Sequence, residues 1–102
     1  MSELNRVIHE PVRLRIMAIL SGVDRADFRF MVSTLGLSKG NLASHIDKLE
    51  QAGYIEVQKS FHGKMPHTEY HLTDVGRIAL TNYWAALDVI RGSASRNPTS
   101  AS

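Results

Sequence analysis

The sequence predicts a mainly α domain carrying one small β-hairpin, and three observations carry that expectation. Apolar residues recur at helical spacing in four stretches before residue 54. From Tyr54 the period changes to two and holds until Leu72. After Thr73 a long apolar stripe resumes at helical spacing. The expected order is helix, helix, helix, helix, hairpin, helix.

Leu4, Val7 and Ile8 are spaced i, i+3, i+4, which predicts a short N-terminal helix. Glu10 breaks it, because Pro11 lacks an N–H and disfavours helix in the residue before it. A second helix starts with Pro11 in its first turn, buries Val12, Leu14, Ile16, Met17, Ile19 and Leu20, and ends at Gly22. Asp27 caps a third helix, in which Phe28, Met31, Val32 and Leu35 form the apolar stripe. Gly36 stops it, and Leu37 is the apolar residue of a tight turn. Ser38 caps a fourth helix with Leu42, Ile46 and Leu49 on its buried side and Gly53 as its stop. Ile55, Val57 and Phe61 alternate with Glu56, Gln58 and Ser60 as a half-buried strand. His62 to Pro66 is expected to be loop, and Thr68, Tyr70 and Leu72 form the returning strand. Thr73 caps a final helix reaching about Arg91. Residues 92–102 contain no large apolar side chain, so the expected division is a domain over 1–91 and a disordered tail over 92–102.

Length and composition narrow the function. A chain of 102 residues is the size of one domain. The longest apolar runs, Ile16–Leu20 and Tyr83–Leu87, are far short of the roughly 20 residues of a membrane span. The opening Met-Ser-Glu-Leu-Asn-Arg has no signal-peptide character, so a cytoplasmic location is expected. The absence of cysteine excludes disulfides, thiolate metal sites and cysteine nucleophiles. Twelve Lys and Arg against ten Asp and Glu give a net charge of +2, which permits a polyanionic partner without requiring one. The placement of charge has to decide.

The third and fourth helices, joined by a glycine-containing turn, make a helix-turn-helix. On the fourth, Gly40, Asn41, Ser44, Asp47, Lys48 and Gln51 lie opposite the buried stripe. Small residues near its start permit close approach, and Asn, Ser and Lys hydrogen-bond base edges and phosphates. A plain solvated face is also polar, and Asp47 and Glu50 fit that simpler reading. The hairpin shifts the balance. Between Val57 and Thr68 it carries Lys59, Lys64, His62 and His67 and no acidic residue, which suits a hairpin that grips phosphates or enters a minor groove.

Three stretches resemble the winged helix-turn-helix transcriptional regulators of the MarR and ArsR types. Pro11-Val12-Arg13-Leu14-Arg15-Ile16 with Leu20 is similar to their opening helix. Leu37 to Ile55 is similar to their recognition helix and its exit, and Tyr70-His71-Leu72-Thr73-Asp74-Val75-Gly76-Arg77 to the end of their wing. The resemblance covers residues 4–91. It implies a three-helix core, a two-stranded wing and N- and C-terminal dimerisation helices, in a homodimer that binds double-stranded operator DNA and acts as a repressor. The residues expected at DNA are Ser38, Lys39, Gly40, Asn41, Ser44, His45 and Lys48 on helix 38–52, with Lys59, His62, Gly63 and Lys64 on the wing over 57–68. The cysteine metal motif of many ArsR-type sensors is absent, and the chain is shorter than most MarR-type proteins, so no effector pocket is carried over.

A dimer is expected from the final helix independently of the resemblance. Val75, Ala79, Leu80, Tyr83, Trp84, Ala86, Leu87 and Ile90 cover about half of its circumference, wider than one core needs. The expected interface combines Leu4, Val7 and Ile8 with Leu80, Tyr83, Trp84, Leu87 and Ile90.

No enzyme is read from this sequence. His9-Glu10-Pro11-Val12-Arg13 fails as a zinc-protease motif at its fifth position. Ser44 and His45 point about 100° apart on a helix and make no nucleophile–base pair. Gly63-Lys64 lacks the rest of a phosphate loop, and no cofactor is expected. A metal held by His62, His67 and His71 is less favoured than surface roles for these residues. Phe61 stands alone near the hairpin tip, without the aromatic pair that RNA binders use. The alternative left open is a module of the same fold that binds protein.

Overall fold

The computed structural model describes residues 4–95. Helix α1 spans Pro11–Ser21, strand β1 Ala26–Asp27, α2 Phe28–Leu35, α3 Lys39–Gln51, β2 Ile55–His62, β3 Met65–Leu72 and α4 Asp74–Ser95. The mainly α order with one long hairpin stands. Among the described residues no helix is long and apolar enough to cross a membrane.

The N-terminal helix is not formed. Leu4–Glu10 is a single turn, closed by His9 N–H on the Asn5 carbonyl at 2.7 Å. Asn5 Oδ1 accepts from Val7 N–H and Ile8 N–H, and its amide donates to the Tyr54 hydroxyl at 2.7 Å. Pro11 bars the turn from continuing as helix through Glu10, and the Asn5 side chain offers the backbone N–H groups of Val7 and Ile8 another partner. That turn drives Ile8 into the core, where it is fully buried.

Caps define the remaining helices. Glu10 accepts from Val12 and Arg13 N–H and starts α1 directly before Pro11. Asp27 accepts from Phe30 N–H at 2.8 Å, and Ser38 from Asn41 N–H at 3.1 Å. Each such cap is worth about 1 kcal/mol. Gly36 takes the left-handed conformation that ends α2, so the link to α3 needs only Leu37 and the cap. Thr73 accepts from Gly76 N–H at 2.9 Å, donates to the Gly53 carbonyl at 2.6 Å, and so fastens α4 to the exit of α3.

Strand β1 has no sequence signal, being two residues long, yet it pairs with β3 (Ala26 with Tyr70, Asp27 with Glu69) to give a sheet in the order β1-β3-β2. The hairpin is tighter than its sequence implies. Ladder pairing runs out to His62 with Met65, leaving a two-residue turn of Gly63 and Lys64 in place of the expected five-residue loop. Gly63 has φ of 64° while Lys64 stays negative, as a type II′ turn requires. Pro66 is tolerated within β3 because it faces Phe61 in a pair that exchanges no hydrogen bonds.

The core joins Ile8, Ile16, Met17 and Leu20 to Met31, Leu35, Leu42, Ile46, Leu49, Ile55, Tyr70, Leu72, Leu80 and Tyr83. Helix α4 extends four residues past Arg91, so 92–95 are helical, contrary to the expected tail; the remainder of that tail, 96–102, lies outside the described residues.

Candidate nucleic-acid interface

Burying Leu42, Ile46 and Leu49 fixes the rotation of α3 and so decides what it presents outward. Gly40, Ser44 and Gln51 project most directly away from the core, with Asp47 and Lys48 beside them. Lys39, Asn41 and Ser44 are exposed, and nothing stands within 4 Å of the place a Gly40 Cβ would occupy. A surface can therefore approach the first two turns of the helix closely. Ser38 is exposed, but its hydroxyl is engaged as the cap. Acidic residues appear only in the second half of the helix, at Asp47 and Glu50.

His45 departs from its expected role. Its ring is turned toward α1, with Nδ1 3.1 Å from Glu10 Oε2 and 3.3 Å from Arg13 Nη1. The cause is helical position, since His45 lies at the edge of the buried stripe rather than opposite it. It braces the recognition helix and is not part of the outward face. Arg13 is tied down similarly, with Nε donating to the Val7 carbonyl at 2.6 Å. Partial burial raises the Glu10 carboxyl, but the N–H groups of Val12 and Arg13 and the charges of His45 and Arg13 outweigh it and hold the group below its ordinary value.

The wing stands beside α3. The groove between them, about 470 Å³, is lined by Ala43, Ile46, Asp47 and Glu50 from α3 and by Val57, Lys59, Thr68 and Tyr70 from the sheet. Lys59, His62, Gly63 and Lys64 are all exposed. The three hairpin histidines do not converge on one point. His62 and His67 stack at 3.9 Å between ring centroids, whereas His71 pairs with Glu56 at 3.4 Å. His67 Nε2 sits 3.2 Å from Glu69 Oε2 and Arg25 Nη1 3.4 Å from Oε1, and their proximity, that of His67 first, holds the carboxyl below its ordinary value against a burial penalty.

Sequence reasoning missed Arg29. It is exposed on the first turn of α2 and lines a recess with Pro66, His67 and Thr68 of the wing. Only the pairing of β1 with β3 brings α2 beside the wing, and a two-residue strand has no periodicity to reveal it.

The expected dimer set divides in two. Ile8, Leu80 and Tyr83 are buried in the chain's own core, and the Tyr83 hydroxyl is 2.8 Å from His9 Nδ1, so these three are corrected to internal packing residues. Leu4, Val7 and Leu87 are half-buried, while Trp84 and Ile90 are exposed. A second apolar face runs along α4 through Val75, which the sequence reading included in its broad stripe, and through Ile78 and Val89, which it did not; Ile78 and Val89 are each 62% exposed. Beside it a groove of about 590 Å³ is lined by Leu4, Arg6, Tyr54, Val75, Ile78 and Asn82, among others.

Comparison with known proteins gives the same architecture. A model of the winged helix DNA-binding domain matches residues 12–90. Over 78 residues the chain is 35% identical to an uncharacterized protein of Methanocaldococcus jannaschii, covering 76% of this chain and 85% of that one. The structure of a transcriptional regulator homologue from Pyrococcus horikoshii OT3 superposes with a TM-score of 0.82 at 30% identity, covering 88% of this chain and 89% of the other. The transcriptional repressor CouR, solved bound to a 23-mer DNA duplex, superposes with a TM-score of 0.72 at 21% identity over 89% of this chain and 64% of that one, a likeness of fold alone.

Proposed function

This chain belongs to the winged helix DNA-binding domain family, and on that premise we propose that it is a homodimeric transcriptional regulator, acting as a repressor, that binds double-stranded DNA sequence-specifically. One observation carries the reading. The first two turns of α3 offer an open face of Lys39, Gly40, Asn41 and Ser44, and the wing beside it offers Lys59 and Lys64. Neither 38–46 nor 57–68 contains a carboxylate. Helix and wing thus present donors and positive charge where a major groove and its flanking phosphates would lie. The description of the Pyrococcus protein as a regulator homologue and the duplex bound to CouR support the reading. Its place of action is with the DNA, in the cytoplasm.

Asn41 and Ser44 read base edges, Lys48 and the wing lysines grip phosphates, and Ser38 and His45 hold the helix in place. The homodimer forms through the Val75–Ile78–Val89 face of α4, with Ile90 at its margin, whereas Trp84 lies beyond the core-facing stripe on the other side of the helix. Two-fold symmetry then predicts half-sites about one helical turn, roughly 10 base pairs, apart. Selection from a pool of random duplexes tests this. Enrichment of a two-fold symmetric sequence is expected, and a pool that stays random after repeated rounds contradicts sequence-specific binding.

A further inference from the structure

Large apolar side chains at the tip of a two-residue hairpin are costly to leave in water, and this wing carries two of them. Phe61 is 71% exposed and Met65 61% exposed. The alternation that keeps Ile55 buried and Val57 half-buried continues past the end of the core, so Phe61 emerges on the same face with no core left to cover it. It is not alone there, as its sequence context suggested. The register sets Phe61 directly across from Pro66, in the type of pair whose side chains stand closest, with Lys59 opposite Thr68 one step behind. The result is a stiff apolar blade. The II′ turn at Gly63 closes it, the His62–His67 stack backs its other face, and Lys59 and Lys64 flank it with positive charge.

We propose that the wing tip is a wedge for the minor groove of duplex DNA: Phe61, supported by Pro66, enters a base step and kinks the helix while Lys59 and Lys64 hold the phosphates on either side. The inference rests on the DNA-binding reading above and adds to it a place of insertion and a deformation. Charge selects the occupant. Residues 57–68 hold two lysines and two histidines and no carboxylate, so an apolar tip in a basic collar fits a polyanion with an apolar interior, which a stacked duplex is. The preferred step is pyrimidine–purine, the easiest to unstack, which makes the wedge a source of sequence preference in a region without base-edge hydrogen bonds.

The test uses full-length protein, a duplex obtained by selection, end labels that report bending by energy transfer, and 2-aminopurine placed at successive pyrimidine–purine steps. Wild type is expected to bend the duplex and to brighten 2-aminopurine at one step per half-site. Phe61→Ala is expected to abolish both signals and to weaken binding on the order of tenfold, as loss of a base–aromatic contact does, with an unchanged salt slope. Phe61→Leu is expected to retain most of the bend, and Lys64→Ala to keep the bend while lowering the salt slope. Equal affinity and bending by wild type and Phe61→Ala would overturn the wedge and leave the DNA-binding reading intact. Dissociation of the dimer by Phe61→Ala, with DNA bending unchanged, would overturn it in favour of a contact between copies. Absence of salt-dependent DNA binding by wild type would overturn both readings. Because Phe61 is exposed, its variants should melt as wild type does.

Discussion

Nδ1 of His45 lies 3.1 Å from Oε2 of Glu10, so the residue that caps α1 also anchors the recognition helix. The same carboxylate accepts from Val12 and Arg13 N–H, and one group therefore sets both where α1 begins and how α3 sits against it.

Glu10→Gln keeps one acceptor oxygen but loses the second and the charge, so it should lower stability at neutral pH by about 1 kcal/mol, the net worth of one hydrogen bond. Because the folded carboxyl is held below the unfolded one, its contribution is full above pH 4.5 and is lost as pH falls through the folded value beneath it. Thermal melts across pH should show the two proteins differing most near neutrality and converging well below 4.5. A difference that does not change with pH would mean that the charge of Glu10 is irrelevant.

A second prediction concerns Gly76, where α4 crosses the exit of α3. A Cβ there would sit 2.1 Å from the Tyr54 carbonyl oxygen, which also accepts from Thr73 N–H at 3.0 Å. In an open helix Gly→Ala gains about 1 kcal/mol. Here overpacking against backbone costs about 1–3 kcal/mol or more and wins. Gly76→Ala should lower the melting temperature by several degrees, and a rise would contradict the close approach.

The two faces of α4 separate folding from assembly. Ile78→Glu places a charge on the exposed face and should convert a dimer to monomer in sedimentation while leaving the melt of the monomer unit cooperative. Leu80→Ala removes a core side chain and should cost about 2–5 kcal/mol of stability at any concentration. Wild type sedimenting as a monomer at micromolar concentration would remove the dimer.

Helix starts were legible wherever a side chain advertises its role: Asp27, Ser38 and Thr73 each cap the helix that follows, and Gly36 stops α2 where its left-handed backbone is needed. What the sequence hid depends on partners distant in the chain. Ile8 belongs to a helical spacing yet packs through a turn made by Asn5, whose amide is held by Tyr54. His45 reads as part of a polar helix face, and only the position of Glu10 reveals that it turns inward. The breadth of the apolar stripe on α4 signalled a second surface, but spacing alone assigned Leu80 and Tyr83 to it, because periodicity cannot say which edge of a broad stripe the core covers. Phe61 read as a half-buried strand residue because alternation continues after the core has ended.

The most direct test of the account is a salt titration of DNA affinity for wild type, Asn41→Ala and Lys64→Ala, each on a selected duplex and on random duplex. Asn41→Ala should lose roughly 1–3 kcal/mol on the selected duplex only, with its salt slope unchanged. Lys64→Ala should weaken binding to both duplexes and reduce the slope of log affinity against log salt by about one unit per lost phosphate contact. Identical behaviour of the two variants would contradict the division between a reading helix and a gripping wing. Wild-type binding that ignores salt on both duplexes would contradict DNA recognition itself and favour a protein partner.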